Sequence, residues 1–403
     1  MRIPAKKFPM TETAIPQAAP ANHPTDEDLS AGERPASLAA LLDQAAAGPE
    51  LAAYRGVLTP WQLDAPKREI AALALGAAVH DLGWLRRVAV RGEDRFRWLS
   101  GMVTNTVNDL AANAGAWNLV LNAQGRIQGD LHVWREADNL ELEIAADQYD
   151  RLLAHLERFI IMDDVELAPL SPNRSLNAEA ELTGETALGL IGPLAAGVLA
   201  RLELPAPGEP LTSTGAEWNG SGIRVVRAYG ALAPHYELWT RAAQIPALWQ
   251  ALIEAGATPV GAASLEAFRI AEGIPAYGID IAERDLPQET SQMRALHFSK
   301  GCYLGQEIVE RIRSRGSVHR HLRPLELFGP LPAAGTGLTL DGGAVAGEIT
   351  SAAQLPLPEG SRCFALAMIR AEAEARSQPF TYTAGTAIGE ARILAAPPRL
   401  EAG

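Results

Sequence analysis

The chain turns on the octet Lys300-Gly301-Cys302-Tyr303-Leu304-Gly305-Gln306-Glu307, which continues as Ile308-Val309-Glu310-Arg311-Ile312-Arg313-Ser314-Arg315-Gly316. It holds Cys302, one of two cysteines in 403 residues. Gly301 and Gly305 bracket that cysteine and predict a tight turn. Beyond Gly305 the pattern becomes helical. Ile308, Val309 and Ile312 share a face, Glu307 and Arg311 stand four apart, and Gly316 ends the helix. A thiol just before a helix start and two residues from Lys300 is placed for thiolate stabilisation. A lone cysteine is equally a small buried hydrophobe, so both readings stand on the residues alone.

The octet resembles the K-G-C-F/Y-x-G-Q-E signature of the YgfZ family of folate-binding proteins. These are relatives of the glycine-cleavage T-protein, an aminomethyltransferase, and serve iron–sulfur protein maintenance. The resemblance implies an α+β fold, a T-protein-like multi-domain arrangement of antiparallel sheets and helices with a small C-terminal β-barrel. It implies tetrahydrofolate as cofactor. The partners it implies are a reduced folate, including polyglutamylated forms, and iron–sulfur client or assembly proteins. Cys302, with Lys300 beside it, is then the working residue, and Gln306 joins the folate-contacting set.

Further stretches carry the same resemblance. Arg126-Ile-Gln-Gly-Asp130 follows a hairpin turn at Gly125. Where the relatives carry paired aspartates facing the folate, Gly129 and Asp130 stand here, leaving one carboxylate. Tyr236-Glu237-Leu238 is similar to the segment whose glutamate hydrogen-bonds the pterin, which suits a carboxylate because a pterin edge offers paired N–H donors. Arg269-Ile-Ala-Glu-Gly-Ile-Pro-Ala-Tyr-Gly-Ile-Asp280 matches the block R-x-x-x-G-x-P-x-x-G-x-D. Arg269 is therefore expected to grip the carboxylates of the folate tail.

Composition bounds the rest. Hydrophobic residues make up 47% and charged ones 21%, an ordinary globular balance for two or three domains. A net charge of −13 argues against direct nucleic-acid binding. Two distant cysteines, no apolar leader and no long apolar run predict a cytoplasmic chain without a membrane span. No metal-ligand spacing, phosphate loop or dinucleotide fingerprint occurs. A flavin-linked demethylase is thereby excluded, and so is a resident iron–sulfur cluster, which takes about four cysteines.

Residues 1–45 are expected to be a disordered or extended segment, apart from a short helix over Ser37–Ala47. Leu58–Pro66 reads as a connector. A folate-binding region spans 46–321, its body opening at Ala77, with a subdomain break near 170–185. Short strands from Leu322 to 403 predict the barrel, with Cys363 in its core. Arg311, Arg313, Arg315, Arg320 and Arg323, with His319 and His321, form a basic run. It predicts an anion site for a polyglutamate tail, or for an acidic client. Three functions remain: the accessory protein, a true aminomethyltransferase, and a folate-binding scaffold without chemistry.

Overall fold

The computed structural model describes residues 49–137, 139–171, 184–316 and 318–400, with Leu38 and Leu42. The N-terminal segment, most of the expected Ser37–Ala47 helix and much of the expected break near 170–185 lie outside these residues. Leu38 and Leu42 are helical and pack on the core below.

The chain folds as α+β. The strands are β1 Leu51–Tyr54, β2 Val57–Pro60, β3 Ala78–Asp81, β4 Leu85–Arg91, β5 Ala114–Leu121, β6 Ile127–Glu136, β7 Asn139–Ala145, β8 Glu166–Pro169, β9 Glu185–Ile191, β10 Thr212–Trp218, β11 Ser221–Ala228, β12 His235–Arg241 and β13 Thr258–Pro259. The barrel strands are β14 Arg320–Phe328, β15 Gly337–Thr339, β16 Val345–Leu357, β17 Gly360–Arg370, β18 Phe380–Ala384 and β19 Ala387–Ile393. The helices are α1 Pro66–Leu75, α2 Arg95–Met102, α3 Ala146–Glu157, α4 Ala195–Arg201, α5 Ile245–Glu254, α6 Ala262–Glu272 and α7 Gln306–Arg315.

Strands β3 to β13 form one sheet in the order β13-β3-β9-β12-β11-β10-β5-β6-β7-β4-β8. It is two similar halves. β4, α2, the meander β5-β6-β7 and α3 make the first, and β9, α4, the meander β10-β11-β12 and α5 make the second. Each half buries one sheet face beneath its own helices, around Val88, Leu99 and Leu142 in one and Leu190, Val198 and Leu238 in the other. The strand ladders of the halves share a single register pair, Thr212↔Ala114, between β10 and β5, and Trp134 of the first half packs with Val226 and Trp239 of the second. A buried charge network at the seam, described below, also binds them.

The closed barrel β14-β17-β16-β15-β18-β19 follows. Its interior is filled by Leu327, Ile349, Ala365, Cys363 and Phe380. Its outer face packs on α1 and α6 through Leu355 and Phe364. It also meets the β5–β6 hairpin and the Cys302 loop through Leu322, Leu366 and Met368.

The region expected to be a connector is partly a hairpin, β1–β2, with Arg55 and Gly56 at its turn in the left-handed region (φ 51° and 86°). The sequence hides this because Arg-Gly is not among the favoured hairpin turns. A Cβ at Gly56 would stand 2.7 Å from the backbone nitrogen of Asp147, so the turn lies directly on α3.

Candidate functional site

The hairpin tip, both halves and α6 enclose a cavity of about 240 Å³. β6 and β7 contribute Asp130, His132 and Glu143; β12 contributes Tyr236 and Glu237; α6 contributes Phe268 and Arg269; Arg294 enters from the segment before the Cys302 loop. Trp84, Trp117, Tyr229, Tyr236, Phe268 and Tyr277 make its walls largely aromatic.

Its floor is a buried carboxyl pair. Glu237 accepts the Trp239 indole N–H at 2.8 Å, and Glu143 accepts that of Trp134 at 3.1 Å. Burial and the adjacent Glu143 carboxylate push the Glu237 carboxyl well above the usual range. Arg87, fully buried, offsets the pair's charge. It donates to Glu141 at 3.0 Å and Glu143 at 3.2 Å, and lies over the Trp239 ring at 4.1 Å. From the second half, Arg224 reaches across to Glu136 and, at 2.8 Å, to Glu141. The seam between the halves and the floor of the cavity are thus one network.

Asp130 is held by two donors, the Trp117 indole N–H at 2.8 Å and the Gln148 amide at 3.0 Å. Gly129, the next residue along β6, faces the other way. A Cβ there would stand 2.7 Å from Gln148 Oε1 and 2.8 Å from Leu152 Cδ2. Strand alternation therefore allows one of the two positions to present a carboxylate to the cavity. His80 sits opposite Gly189 across β3 and β9, where an added Cβ would stand 2.0 Å from its Nε2. Burial pulls His80 down to about 4, so it is neutral near pH 7.

Of the residues singled out from sequence, Asp130, Tyr236, Glu237 and Arg269 line the cavity, whereas Cys302, Lys300 and Gln306 do not. Arg269 corrects an expectation. Its guanidinium donates to Glu266 at 2.9 and 2.5 Å, to Asp280 at 2.7 Å and to the Ile274 carbonyl. Asp280 in turn accepts the hydroxyls of Thr350 and Ser351, both at 2.6 Å, from the barrel. Arg269 is thus a tie between cavity wall and barrel, not a free carboxylate grip.

The octet corrects another. Burial pulls Lys300 down to about 7, and its ammonium donates to the carbonyls of Val103 and Asn105 at 2.7 and 2.6 Å. It fastens the loop to the end of α2. Gly305 (φ 80°), not Cys302, stands at the head of α7, and a Cβ there would meet the Asn122 carbonyl at 2.5 Å. Gln306 accepts the Tyr303 N–H at 3.3 Å, and Tyr303 and Val309 are buried against the β5–β6 hairpin and barrel. Most of the octet therefore holds a loop in place, and Cys302 is exposed on it. A thiol-exchange reagent is expected to titrate one thiol in the native protein. Cys363, buried and raised by burial, should react only on unfolding. Two native thiols of equal rate would contradict this placement.

Much of the basic run is paired internally. Arg320 pairs with Asp285 at 2.6 Å and Glu289 at 3.1 Å, Arg323 and His321 pair with Glu374 at 2.6 and 2.7 Å, and Arg311 pairs with Glu307 at 2.6 Å. The two arginines beyond the helix, Arg320 and Arg323, are therefore not free cations for a polyglutamate tail. Among the described residues, no cluster of three or more histidines, cysteines, aspartates and glutamates could hold a metal ion. No helix there is long and apolar enough to cross a membrane.

A two-half, mostly antiparallel sheet with a barrel, enclosing an aromatic cavity floored by carboxyl groups, defines the T-protein fold. The GCVT N-terminal domain model matches residues 43–300, and the chain belongs to that family. It is similar to the aminomethyltransferase of Rubrobacter xylanophilus, 28% identical over 330 residues, covering 82% of this chain and 86% of the relative. It is also similar to the aminomethyltransferase of Halalkalibacterium halodurans, at 26% over 332 residues, 79% of this chain and 86% of that one. The glycine cleavage system aminomethyltransferase T of Bartonella henselae shares the fold, with a TM-score of 0.79 at 19% identity over 91% of this chain and 99% of the other.

Proposed function

We propose that the chain is a tetrahydrofolate-binding accessory protein for assembly or repair of iron–sulfur enzymes. The carboxyl pair Glu143–Glu237 on the floor of an aromatic cavity carries the folate part. A reduced pterin is flat, with paired N–H donors along one edge. A carboxylate accepts such a pair, and aromatic walls cover the faces. The residues fit the group in another respect. Trp84 Nε1 and Arg55 Nε are buried in the cavity lining without a partner, and a pterin brings acceptors for them. When bound, tetrahydrofolate supplies a carrier for a one-carbon unit. Glu237 would hold the pterin edge, Tyr236 and Phe268 its faces, and Asp130 would stand fixed beside it.

Titration calorimetry is expected to show binding of tetrahydrofolate, with a melting temperature that rises with ligand concentration. Glu237→Ala should weaken binding about tenfold, the scale of a hydrogen bond lost in a buried site. Absence of binding by any reduced folate would overturn the reading.

Exposure of Cys302 on a rigid loop outside the cavity supports the accessory role, because a thiol placed there meets a partner protein and not the bound folate. Cys302→Ser is expected to lower iron–sulfur enzyme activities in cells, with melting temperature and folate affinity unchanged. A second reading, aminomethyl transfer, is favoured by the Asp130 carboxylate in the cavity and by the names of the relatives. Formation of methylenetetrahydrofolate and ammonia from an aminomethyl-loaded lipoyl carrier protein would establish it in place of the first.

A further inference from the structure

We infer that Arg294, clamped between Trp117 and Tyr229 in the cavity wall, is the residue that binds the carboxylate tail of the folate. This rests on the folate reading above and assigns the tail to a residue outside the matched motifs.

Among the arginines of the cavity and its seam, Arg87, Arg224 and Arg269 are all engaged by carboxylates. Arg55 lies in the field of Glu266. Arg294 differs. Its guanidinium carbon lies 3.7 Å from the Tyr229 ring centroid and 4.5 Å from that of Trp117, sandwiched between two rings. Its Nε donates to Gln292 Oε1 at 3.3 Å, and among the described residues no carboxylate lies within ion-pair distance. Burial works against its charge and lowers its pKa, outweighing the fields of Tyr229, Glu272 and Asp130, none of which forms an ion pair with it. A half-buried cation with both ring faces covered and its terminal N–H groups uncommitted is complementary to a planar carboxylate, which a fork of N–H donors meets bidentately.

The clamp is rigid. Trp117 is fixed by its hydrogen bond to Asp130. The Arg294 carbonyl accepts from the Asn105 side-chain amide at 2.8 Å, which also donates to the Trp117 carbonyl at 3.0 Å. Lys300 holds the Asn105 carbonyl. The lysine of the octet thus supports the shelf from which Arg294 projects, linking the Cys302 loop to the cavity.

The test is a double-mutant cycle by calorimetry on the full chain. Its ligands are tetrahydrofolate and tetrahydrofolate with both glutamate carboxylates converted to amides. Wild type should prefer the acid about tenfold or more, the scale of one charge-assisted bidentate contact. Arg294→Gln should lose that preference while binding the diamide as wild type does. Arg294→Lys, which keeps a point charge without the fork, should keep an intermediate preference, and it carries the test if the glutamine variant does not fold. An unchanged preference in either variant, or no preference in wild type, overturns the assignment of Arg294 alone. A wild-type chain that binds neither ligand overturns the folate reading and this inference with it.

Discussion

Arg87→Met is expected to lower stability by about 3–5 kcal/mol, the range for removing one partner from a buried ion network. The variant keeps an unbranched side chain of similar length but leaves buried Glu143 without its guanidinium and Glu141 with Arg224 alone. The tryptophan rings above and below it also lose their cation. The pH dependence is specific. The Glu237 carboxyl is raised in the folded state by burial and Glu143, so the folded protein keeps a proton that the unfolded chain releases. Stability therefore falls as pH rises from the ordinary carboxylate range through the raised folded value. Arg87 lowers Glu237, so its removal raises that carboxyl further and widens the window. The gap between variant and wild type should grow once pH passes the raised wild-type value. Denaturant unfolding followed upward from pH 5 measures it. A loss below about 1 kcal/mol, the scale of a surface pair, would show that Arg87 does not hold the seam.

Arg269→Met is expected to cost a similar amount, about 3–5 kcal/mol, with a different pH signature. Asp280, 2% exposed, would keep its hydroxyl and backbone donors but lose its countercharge. Burial opposes ionisation of Glu266, yet Arg269 holds its carboxyl down to about 2. A carboxyl lowered on folding stabilises above its unfolded pKa and loses that contribution as pH falls through the folded value. The Glu266 share is therefore complete at pH 5 and above and fades between its ordinary value of 4.5 and about 2. The variant should begin acid unfolding at higher pH than wild type, and the two should differ by a constant amount from pH 5 to pH 8. Because Asp280 joins α6 to the barrel, amide exchange should quicken in β16 around Thr350 and Ser351 as well as in α6. Protection unchanged in β16 would rule out the tie.

Local pattern was enough for the elements. The alternation on either side of Gly125, the face formed by Ile308, Val309 and Ile312, and the short strands after Leu322 each carry their own period. The hairpin β5–β6, the helix Gln306–Arg315 and the six-stranded barrel follow from them. The GCVT family was legible in the Arg269–Asp280 block, since that block is contiguous. The β1–β2 hairpin was not, because its turn residues carry no strong preference and α3 holds them in place.

Partnership was decided only in three dimensions. Sequence marks Arg269, Lys300, Arg320 and Arg323 as cations, but whether a cation is free depends on which carboxylate or carbonyl the fold sets beside it. Here Asp280, Asn105, Asp285 and Glu374 take them. The same holds in reverse for Glu143 and Arg294, unremarkable on a strand and in a loop. One shares a buried floor with Glu237 from the opposite half, and the other stands between two rings with no carboxylate partner among the described residues. Sequence by itself determined the helices, strands and family of this protein, because backbone periodicity and contiguous motifs are local. Only the tertiary structure decided which charges are spent and which face the cavity, because neutralisation of a buried charge depends on residues brought together across the sheet seam and the barrel interface.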